Sequence, residues 1–436
     1  DALADAAYAI HRMRIDARKK MSAPEETLAA ELGTDGISAW GRLYDKASGN
    51  LKFRMEYADG SKKTLPISQA RSIMAGENPV ERRNAFRGYT DAWKSVEILC
   101  ASALNAISGT RHTLYRNRGI GHFLEPALFS AGCTRETLEA LLEAVRREVE
   151  FPREILRFKA RRMNKPALAW YDLECPIPLG LGDEKKIGWE EGVGWISKAY
   201  HHAYPALGAF FDHLIASNWV DYRPRDDKSP GGFCTGSDIT DEPRIFMTFN
   251  GDMGGVTTLA HEAGHAFHHH VMAGTRVFRR EYPMTLAESA STFGESILID
   301  GIVNDPGQDN ETKLRLLDAL VGSIPSYLIN LPMRFTFEKT LYEERKAGEL
   351  SVSRLKELML EAEANLYGDT LSAEESDPYF WAGKLHFYIT GLSFYNFPYT
   401  FGFLLSRGIY NVFKTEGSAF LPRYEEFLKL TGSMSC

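Results

Sequence analysis

The sequence predicts a mainly α-helical protein with two small β segments. Apolar residues recur with a 3.6-residue period over most of the chain, and from residue 305 onward the pattern is almost wholly helical. Only residues 51–67 and 244–249 carry signals typical of strands. The sequence therefore predicts a helical fold in which sheet is a local addition.

Size and composition set the class of protein. The chain has 436 residues with 44% hydrophobic and 25% charged content, which is typical of a soluble globular protein with a sizeable core. The net charge of −7 argues against nucleic acid or an anionic membrane as a partner. No stretch approaches about 18 uncharged apolar residues, so we expect no membrane span. Five scattered cysteines favour a reducing, cytoplasmic location.

The individual elements follow from local signals. In residues 51–67 apolar and charged residues alternate around a turn at 58–61, which predicts a β-hairpin. Asn78-Pro-Val-Glu81 combines a capping residue with a proline at the first helical position, and so predicts a helix start. Another helix is expected near Thr134. Segments 175–183 and 222–236 are predicted loops, and residues 244–249 a short strand.

The motif that carries chemistry is H-E-x-x-H, formed by His261, Glu262 and His265. On a helix this spacing puts both imidazoles on one face, one turn apart, as two ligands of a tetrahedral zinc ion must be. Glu262 then points beside the metal, where it can take a proton from the zinc-bound water. The pattern can arise by chance in a chain with 12 histidines, so a third ligand is needed as support.

The third ligand is predicted to be Glu288. A metzincin would continue with glycine and histidine, but those positions hold His268 and Val271, which excludes that class. Glu288 lies in a small-residue run that permits close helix packing, while Glu295, seven residues on, fits a partner of a ligand histidine. If Glu288 is not the ligand, Glu295 or Glu281 is the alternative. For His268, packing is favoured over metal ligation.

With these residues in view, the chain resembles the oligopeptidase F branch of the thimet oligopeptidase-like zinc metallopeptidase family. The matching segments follow one another in order along most of the chain: Ser38-Ala-Trp-Gly-Arg-Leu-Tyr44, Asn78-Pro-Val-Glu-Arg-Arg-Asn-Ala-Phe86, Trp170-Tyr-Asp-Leu173, Gly231-Gly-Phe-Cys-Thr-Gly236, Ile245-Phe-Met-Thr-Phe-Asn-Gly251, Thr258-Leu-Ala-His-Glu-Ala-Gly-His265 and Ala287-Glu-Ser-Ala-Ser-Thr-Phe-Gly-Glu295. In order and spacing together they are more specific than H-E-x-x-H alone.

The resemblance implies a two-lobed helical zinc peptidase with a deep central channel and a small β-sheet bordering the active site. We expect an N-terminal helical lobe with the hairpin over residues 1–75 and a catalytic domain over 76–436. Because the chain begins at Asp1 and such relatives run further at both ends, the N-terminal lobe is expected to be incomplete. One Zn²⁺ per chain and short peptide substrates are implied, and the oligomeric state stays open.

The resemblance also implies roles around the cleaved bond. The strand at 244–249 would pair with the substrate backbone as an added strand. In segment 384–402, His386, Tyr395 and Tyr399 would steady the developing oxyanion and the substrate carbonyls. Phe397 stands where relatives often have another tyrosine, and Pro398 is unexpected inside a helix. Without the resemblance, these aromatic residues would be predicted as helix core.

Three functions remain in competition. The first is a metalloendopeptidase that hydrolyses internal bonds of short unstructured peptides. The second is an exopeptidase such as a helical metallocarboxypeptidase, which shares the motif but needs an anchor for a substrate terminus. The third is a non-catalytic zinc-binding helical protein, against which the intact Glu262 speaks. Ligation by two histidines and a glutamate also admits cobalt or manganese.

Overall fold

The fold is described from a computed structural model, which describes residues 6–182, 185–225, 228 and 231–436. The predicted loops at 175–183 and 222–236, and the start of the predicted N-terminal lobe, fall partly outside the described residues. Helices dominate the described chain.

The first half is a succession of helices interrupted by one hairpin. Its helices are α1 Ala7–Arg18, α2 Ala23–Asp35, α3 Ile37–Asn50, α4 Ser68–Met74, α5 Pro79–Ser95, α6 Glu97–Asn117, α7 Glu125–Ser130, α8 Arg135–Arg147, α9 Glu150–Arg162, α10 Trp189–Ala203 and α11 Pro205–Ala216. The hairpin strands are β1 Lys52–Glu56 and β2 Lys62–Pro66.

The second half starts with a small sheet and continues as helices. Its strands are β3 Val220–Asp221, β4 Gly232–Ser237 and β5 Glu242–Met247. Its helices are α12 Met253–Val271, α13 Met284–Val303, α14 Asn310–Pro325, α15 Leu331–Arg345, α16 Val352–Tyr367, α17 Phe380–Gly383, α18 Phe397–Glu416 and α19 Leu421–Leu430. A π-helical turn, Ser326–Asn330, joins α14 to α15 without a break.

The predicted helix starts and hairpin are confirmed. The Asn78 side chain accepts from the backbone N–H groups of Val80 (3.0 Å) and Glu81 (3.3 Å) at the start of α5. Thr134 caps α8 in the same way, by accepting from the backbone N–H of Thr137 at 3.1 Å. Strands β1 and β2 pair antiparallel around the predicted turn. These features depend on neighbours in sequence, which is why a local pattern finds them.

The three-stranded sheet corrects one prediction. Its strand order is β3-β5-β4, so β5, which matches the predicted strand at 244–249, is the central strand and has no free edge for a substrate. The outer strands are β3, which is only two residues long, and β4, most of which falls in the predicted loop at 222–236. Strand β4 is rich in glycine, a residue with low β-propensity, and its strand conformation comes from pairing with β5.

Two hydrophobic cores define two lobes. The first core contains buried residues from α3, α6 to α9 and α15 to α17, together with Phe387, Tyr388, Phe394 and Phe397. The second contains residues of α10 to α13, β5, α19 and the end of α18. Tyr44 stacks on Tyr388 at 3.6 Å between ring centroids, so the first core draws on both sides of the predicted boundary at residue 75. The division into domains stays a prediction.

The continuous helical stretch Asn310–Arg345 qualifies the expectation about membranes. It contains an 18-residue window of mean hydropathy 1.2 with at most two charged residues, enough by length and composition to cross a bilayer. The expectation that no stretch approaches the length of a membrane span is therefore wrong for this helix. Its side chains Met333, Phe335 and Phe337 are buried in the first core, and core helices of other proteins can have the same length and composition.

Candidate metal centre and active site

Helices α12 and α13 cross closely enough to bring three ligand atoms together. Gly264 lies between the two histidines of the motif, and a Cβ there would be 2.4 Å from the carbonyl oxygen of Ala290 on α13. Gly294 on α13 makes a similar close approach to α12, because a Cβ there would be 3.1 Å from the carbonyl oxygen of Ala260. Glycine at both positions lets the two backbones touch, so that α13 presents its polar face to the histidines.

His261, His265 and Glu288 form one cluster of potential metal ligands. Nε2 of His261 lies 3.2 Å from Nε2 of His265 and 3.3 Å from Oε2 of Glu288. Nε2 of His265 lies 3.6 Å from the same carboxylate oxygen. Ligands at about 2.0–2.1 Å from a tetrahedral zinc ion are separated by about 3.3–3.4 Å. The three spacings therefore fit three corners of such a site.

Neighbouring groups orient this cluster. Glu295 contacts Nδ1 of His261 through a carboxylate oxygen, which leaves Nε2 facing the other ligands. The Ser291 hydroxyl donates to Oε2 of Glu288 at 2.7 Å. Gly402 of α18 packs against Glu288, since a Cβ there would lie 3.4 Å from Cβ of the glutamate. Glu288 thus lies within the cluster, and Glu295 lies behind His261.

The charge states of the residues in and around the cluster favour the binding of a cation. Burial lowers the pKa of His265 to about 4, so this imidazole is neutral at physiological pH, as a metal ligand must be. Burial raises the pKa of Glu288, but contact with His261 outweighs it and leaves the pKa at about 2. Burial also opposes a proton on His261, yet Glu288 and Glu295 hold its pKa well above the ordinary value. A positive charge at this point is therefore stabilised by two carboxylates.

Glu262 lies beside the cluster and is buried. Its side chain is buried, and Oε2 has no hydrogen-bond partner among the described residues. Burial raises the pKa of Glu262 to about 7, and the nearby Glu288 and Glu295 add to the rise. Gly232 of β4 is its neighbour, because a Cβ there would be 3.2 Å from Oε1. A carboxylate with a pKa near neutrality can both take and return a proton.

His268 is not part of this cluster. Its Nε2 lies 3.1 Å from the carbonyl oxygen of Leu428 and 2.9 Å from the hydroxyl of Thr431, and its ring stacks on Tyr282 at 4.3 Å. It therefore packs α12 against α19, in agreement with the preference for packing over ligation.

His386, Tyr395 and Tyr399 form a second group, attached to the first lobe. The His386 ring lies 5.3 Å from the Tyr395 ring and 6.2 Å from the Tyr399 ring, and the two tyrosine rings are 5.1 Å apart. The hydroxyl of Tyr395 contacts Sδ of Met284, the first residue of α13, at 3.8 Å. The segment that carries these three residues therefore meets the helix that carries Glu288, one turn before it.

The three side chains are suited to donate hydrogen bonds. Burial, followed by the charges of Lys384 and Arg334, lowers the pKa of His386 to about 4, so its imidazole is neutral at pH 7. Its Nδ1 is buried without a partner among the described residues. Burial raises the pKa of Tyr399 far above its ordinary value, and the charge of Glu288 contributes. Tyr399 consequently keeps its proton at any physiological pH.

Two expectations about this segment change. Pro398 lies in the first turn of α18, which begins at Phe397, and not inside a helix; proline is well tolerated there. Phe397 is buried in the first core beside Phe335, at 6.2 Å between ring centroids, and contributes packing. The aromatic residues at 386 and 395 precede α18, so they are not the core of a continuous helix.

Two buried charges that the sequence analysis missed hold this segment. Arg111 of α6 donates to the backbone carbonyls of Ile389 and Leu392, the latter at 2.8 Å. Glu338 of α15 accepts from the backbone N–H of Phe394 at 2.9 Å and from the Asn396 side chain at 2.8 Å. A charged residue on the buried face of its helix is the signal that could have identified both, since Arg111 follows Ile107 by four residues and Glu338 follows Phe335 by three.

Comparison with known proteins identifies the family. Residues 186–436 match the family model described as Peptidase family M3, and residues 1–53 match the model described as Oligopeptidase F. The chain is 21% identical over 429 residues to Oligopeptidase PepF of Bacillus subtilis, covering 98% of this chain and 63% of that protein. It is 25% identical over 390 residues to an Oligoendopeptidase F homolog of Borreliella burgdorferi, covering 87% of this chain and 64% of that protein.

A solved structure shows the same fold. Oligoendopeptidase-F from Enterococcus faecium superposes with a TM-score of 0.74 at 17% identity, covering 98% of this chain and 70% of that one. The predicted mainly α, two-lobed architecture with a small sheet beside the site is confirmed, as is the resemblance to the oligopeptidase F branch. The chain spans less than two thirds of the length of the two relatives named above. Since the matched model covers more than half of its residues, the chain belongs to peptidase family M3.

Proposed function

We propose that this chain acts as a zinc-dependent oligopeptidase that hydrolyses internal bonds of short, unstructured peptides. The observation that carries the proposal is the spacing of 3.2–3.6 Å among the ligand atoms of His261, His265 and Glu288, next to the buried carboxylate of Glu262. Membership of a peptidase family supports the reaction class. One Zn²⁺ per chain fits the single cluster of this kind found among the described residues.

Each residue then has a distinct task. His261, His265 and Glu288 would hold the ion, which lowers the pKa of a water molecule and polarises the substrate carbonyl when it is bound. Glu262 accepts the proton of the attacking water at a carboxylate oxygen that has no other partner, and returns it to the leaving amine. His386, Tyr395 and Tyr399 donate hydrogen bonds to the oxyanion and to substrate carbonyls.

The substrate backbone would pair with the free edge of β4. Strand β5 is paired on both sides, whereas β4 pairs with a strand on one side only among the residues that the structure describes, and it approaches Glu262 through Gly232. Backbone pairing is indifferent to side chains, so we propose loose sequence specificity. The site lies where groups from two lobes meet, and a channel between the lobes would admit only extended peptides.

The runner-up functions are an exopeptidase and a non-catalytic zinc-binding protein. An exopeptidase would depend on a free substrate terminus and leave peptides blocked at both ends intact, and loss of the base would favour the second; here Glu262 is present and buried. We also propose a cytoplasmic location, because all five cysteines are free. Nucleic acid and membranes are not proposed as partners, given the net charge of −7.

Metal analysis combined with peptide hydrolysis tests the proposal. We expect one zinc ion per chain, cleavage of a quenched fluorescent peptide blocked at both ends, and loss of cleavage with a chelator that is reversed by zinc. Glu262→Gln should retain zinc but lose turnover by about 10²- to 10⁴-fold, since general base catalysis contributes this much. Unchanged turnover in Glu262→Gln would refute the mechanism, and failure to cleave any blocked peptide would favour the exopeptidase.

A further inference from the structure

Two cations lie beside the aromatic group of the site without a counter-charge. Arg334 on α15 and Lys384, two residues before His386, are both half-buried. Among the residues that the structure describes, neither forms an ion pair with a carboxylate. Nε of Arg334 is buried and has no hydrogen-bond partner. Two like charges in a half-buried environment are unfavourable unless an anion binds between them and compensates their charge.

One aromatic ring holds both cations in place. Cζ of Arg334 lies 5.4 Å, and Nζ of Lys384 lies 5.9 Å, from the centroid of the Phe380 ring. Phe380 is in turn fixed by Trp170, whose ring is 5.1 Å away. Cation–π contacts stabilise and orient the two side chains but do not neutralise them. Their charge therefore remains available to a ligand.

A neighbouring carboxylate is already engaged. Glu174 influences the pKa of both Arg334 and Lys384, yet it is bound by Arg71, which donates to both of its oxygens at 2.7 and 2.9 Å. Arg71 and Glu174 cancel each other and leave the charge of the pair uncompensated. Burial and the neighbouring Arg334 lower the pKa of Lys384 to about 7, as expected where a positive charge lacks a partner. A carboxylate bound beside Lys384 would raise this pKa again.

The cation pair is adjacent to the catalytic groups. Lys384 is two residues before His386, and Arg334 is next to Phe335, whose ring lies 6.2 Å from that of Phe397, two residues before Tyr399. The cations therefore lie beside the aromatic group, which contacts the first residue of α13 through Tyr395. An extended peptide advances by about 3.3–3.6 Å per residue, so its carboxylate can lie on the cations while a nearby bond lies at the metal.

We propose that Arg334 and Lys384 form a carboxylate-binding subsite, which takes the C-terminal carboxylate of a short peptide or an acidic side chain near the cleaved bond. The subsite rests on the proposed peptidase function and deepens it, since it adds a preference for substrates with an anion close to the cleaved bond. Guanidinium and ammonium groups acting together suit a carboxylate, through two charge-assisted hydrogen bonds. Peptides without the carboxylate would still be cleaved, with a higher KM.

Three acetylated peptides of one sequence test the subsite in the wild-type protein. One ends in a free carboxylate, one in an amide, and one in an amide with a glutamate replacing a glutamine near the cleaved bond. We expect kcat/KM to be about 10- to 100-fold higher with a carboxylate than with neither, mainly through KM. An advantage of the first peptide identifies the terminus, and an advantage of the third identifies the side chain. Equal kcat/KM for all three would overturn the proposal.

Variants with matched controls locate the effect. Arg334→Gln and Lys384→Gln should bring the ratio for the carboxylate over the amide toward one, and the double variant should abolish it. Arg423 and Lys346 are the controls, because they also lie over phenylalanine rings, at 5.4 and 5.2 Å, but outside the site. Arg423→Gln and Lys346→Gln should keep the wild-type ratio. A ratio that falls equally in all four variants would contradict the assignment.

Binding separates failure of the subsite from failure of the proposed function. If the zinc-loaded wild-type protein cleaves none of the peptides, the peptidase proposal fails, but affinity can still be measured. Fluorescence anisotropy with labelled peptides on Glu262→Gln should give a Kd about 10- to 100-fold lower for a carboxylate than for the amide. Equal Kd values would overturn the subsite. The wild-type peptide comparison stands even if a variant does not fold.

Discussion

The two halves of the site are built in different ways. The metal half lies in the second lobe, where His261, His265 and Glu288 project from two helices that touch through Gly264. The aromatic half surrounds the start of α18 and is attached to the first lobe, with His386 and Tyr395 before this helix and Tyr399 in its first turn. His386 lies in a short 3-10 helix, the backbone between that helix and α18 is irregular, and Phe394 there has a positive φ of 55°, which is unfavourable for a bulky residue.

The difference lies in what fixes each half. In the metal half, the backbone hydrogen bonds of α12 and α13 determine where the ligands point. In the aromatic half, buried charges replace secondary structure, with Arg111 and Glu338 bonded to the backbone at residues 389–394. We infer that the metal half is the rigid reference and that the aromatic half depends on contacts between the lobes. The following predictions separate the two.

The largest expected effect follows loss of a ligand. Glu288→Ala should reduce bound zinc from one per chain to near zero and abolish hydrolysis, because two imidazoles alone do not complete the site. Zinc content after dialysis and peptide hydrolysis are the measurements. Glu281→Ala, in the loop before α13, should retain both. Zinc retained in Glu288→Ala would move the third ligand to Glu295 or Glu281.

Removal of an oxyanion donor should affect turnover and spare the metal. Tyr399→Phe is expected to lower kcat by about 10²- to 10³-fold, with zinc content unchanged, since one donor to a developing charge contributes this much. Tyr410→Phe is the control, because Tyr410 lies on the same helix but donates to Asp300 at 2.7 Å. Loss of zinc in Tyr399→Phe would mean that the two halves are not separable.

An intermediate effect, on zinc affinity, is expected when Glu295, the carboxylate behind His261, is replaced. Glu295→Gln should weaken zinc affinity by about 10- to 100-fold, because the carboxylate orients His261 and raises the basicity of its ring. Competition with a chelator measures the affinity. Glu311→Gln, which removes a partly exposed ion pair with Arg315, should leave the zinc affinity unchanged. An unchanged affinity in Glu295→Gln would show that packing alone orients His261.

The smallest effect is expected for the helix crossing, measured as stability. A Cβ on Gly264 would lie 2.4 Å from the Ala290 carbonyl oxygen, so Gly264→Ala should destabilise the protein by about 1–3 kcal/mol in denaturant unfolding. Gly194→Ala, in α10 with open space around it, should be neutral or stabilising by up to about 1 kcal/mol. If both variants were equally stable, the close crossing would not constrain the metal half.

Much of the metal half could be predicted from the sequence alone. The i, i+4 spacing of the histidines is a property of one helix, and the small residues around Glu288 predict that its helix packs closely. The starts of α5 and α8 and the hairpin were predictable for the same reason, since a cap or a turn involves residues two to four positions apart. These features need no knowledge of the rest of the chain.

The tertiary structure decided the remainder. The pairing of β4 with β5 makes β4 one of the two edge strands of the sheet, although its glycines do not predict a strand. Arg111 contacts the carbonyl of Leu392, 281 residues away, and no local pattern reports such a contact. Arg334 and Lys384 likewise lie 50 positions apart in the sequence, and only the fold brings both to the ring of Phe380. The sequence by itself determined which chemistry the metal ligands support, because helix geometry is local; the arrangement of groups around the substrate required the packing of both lobes.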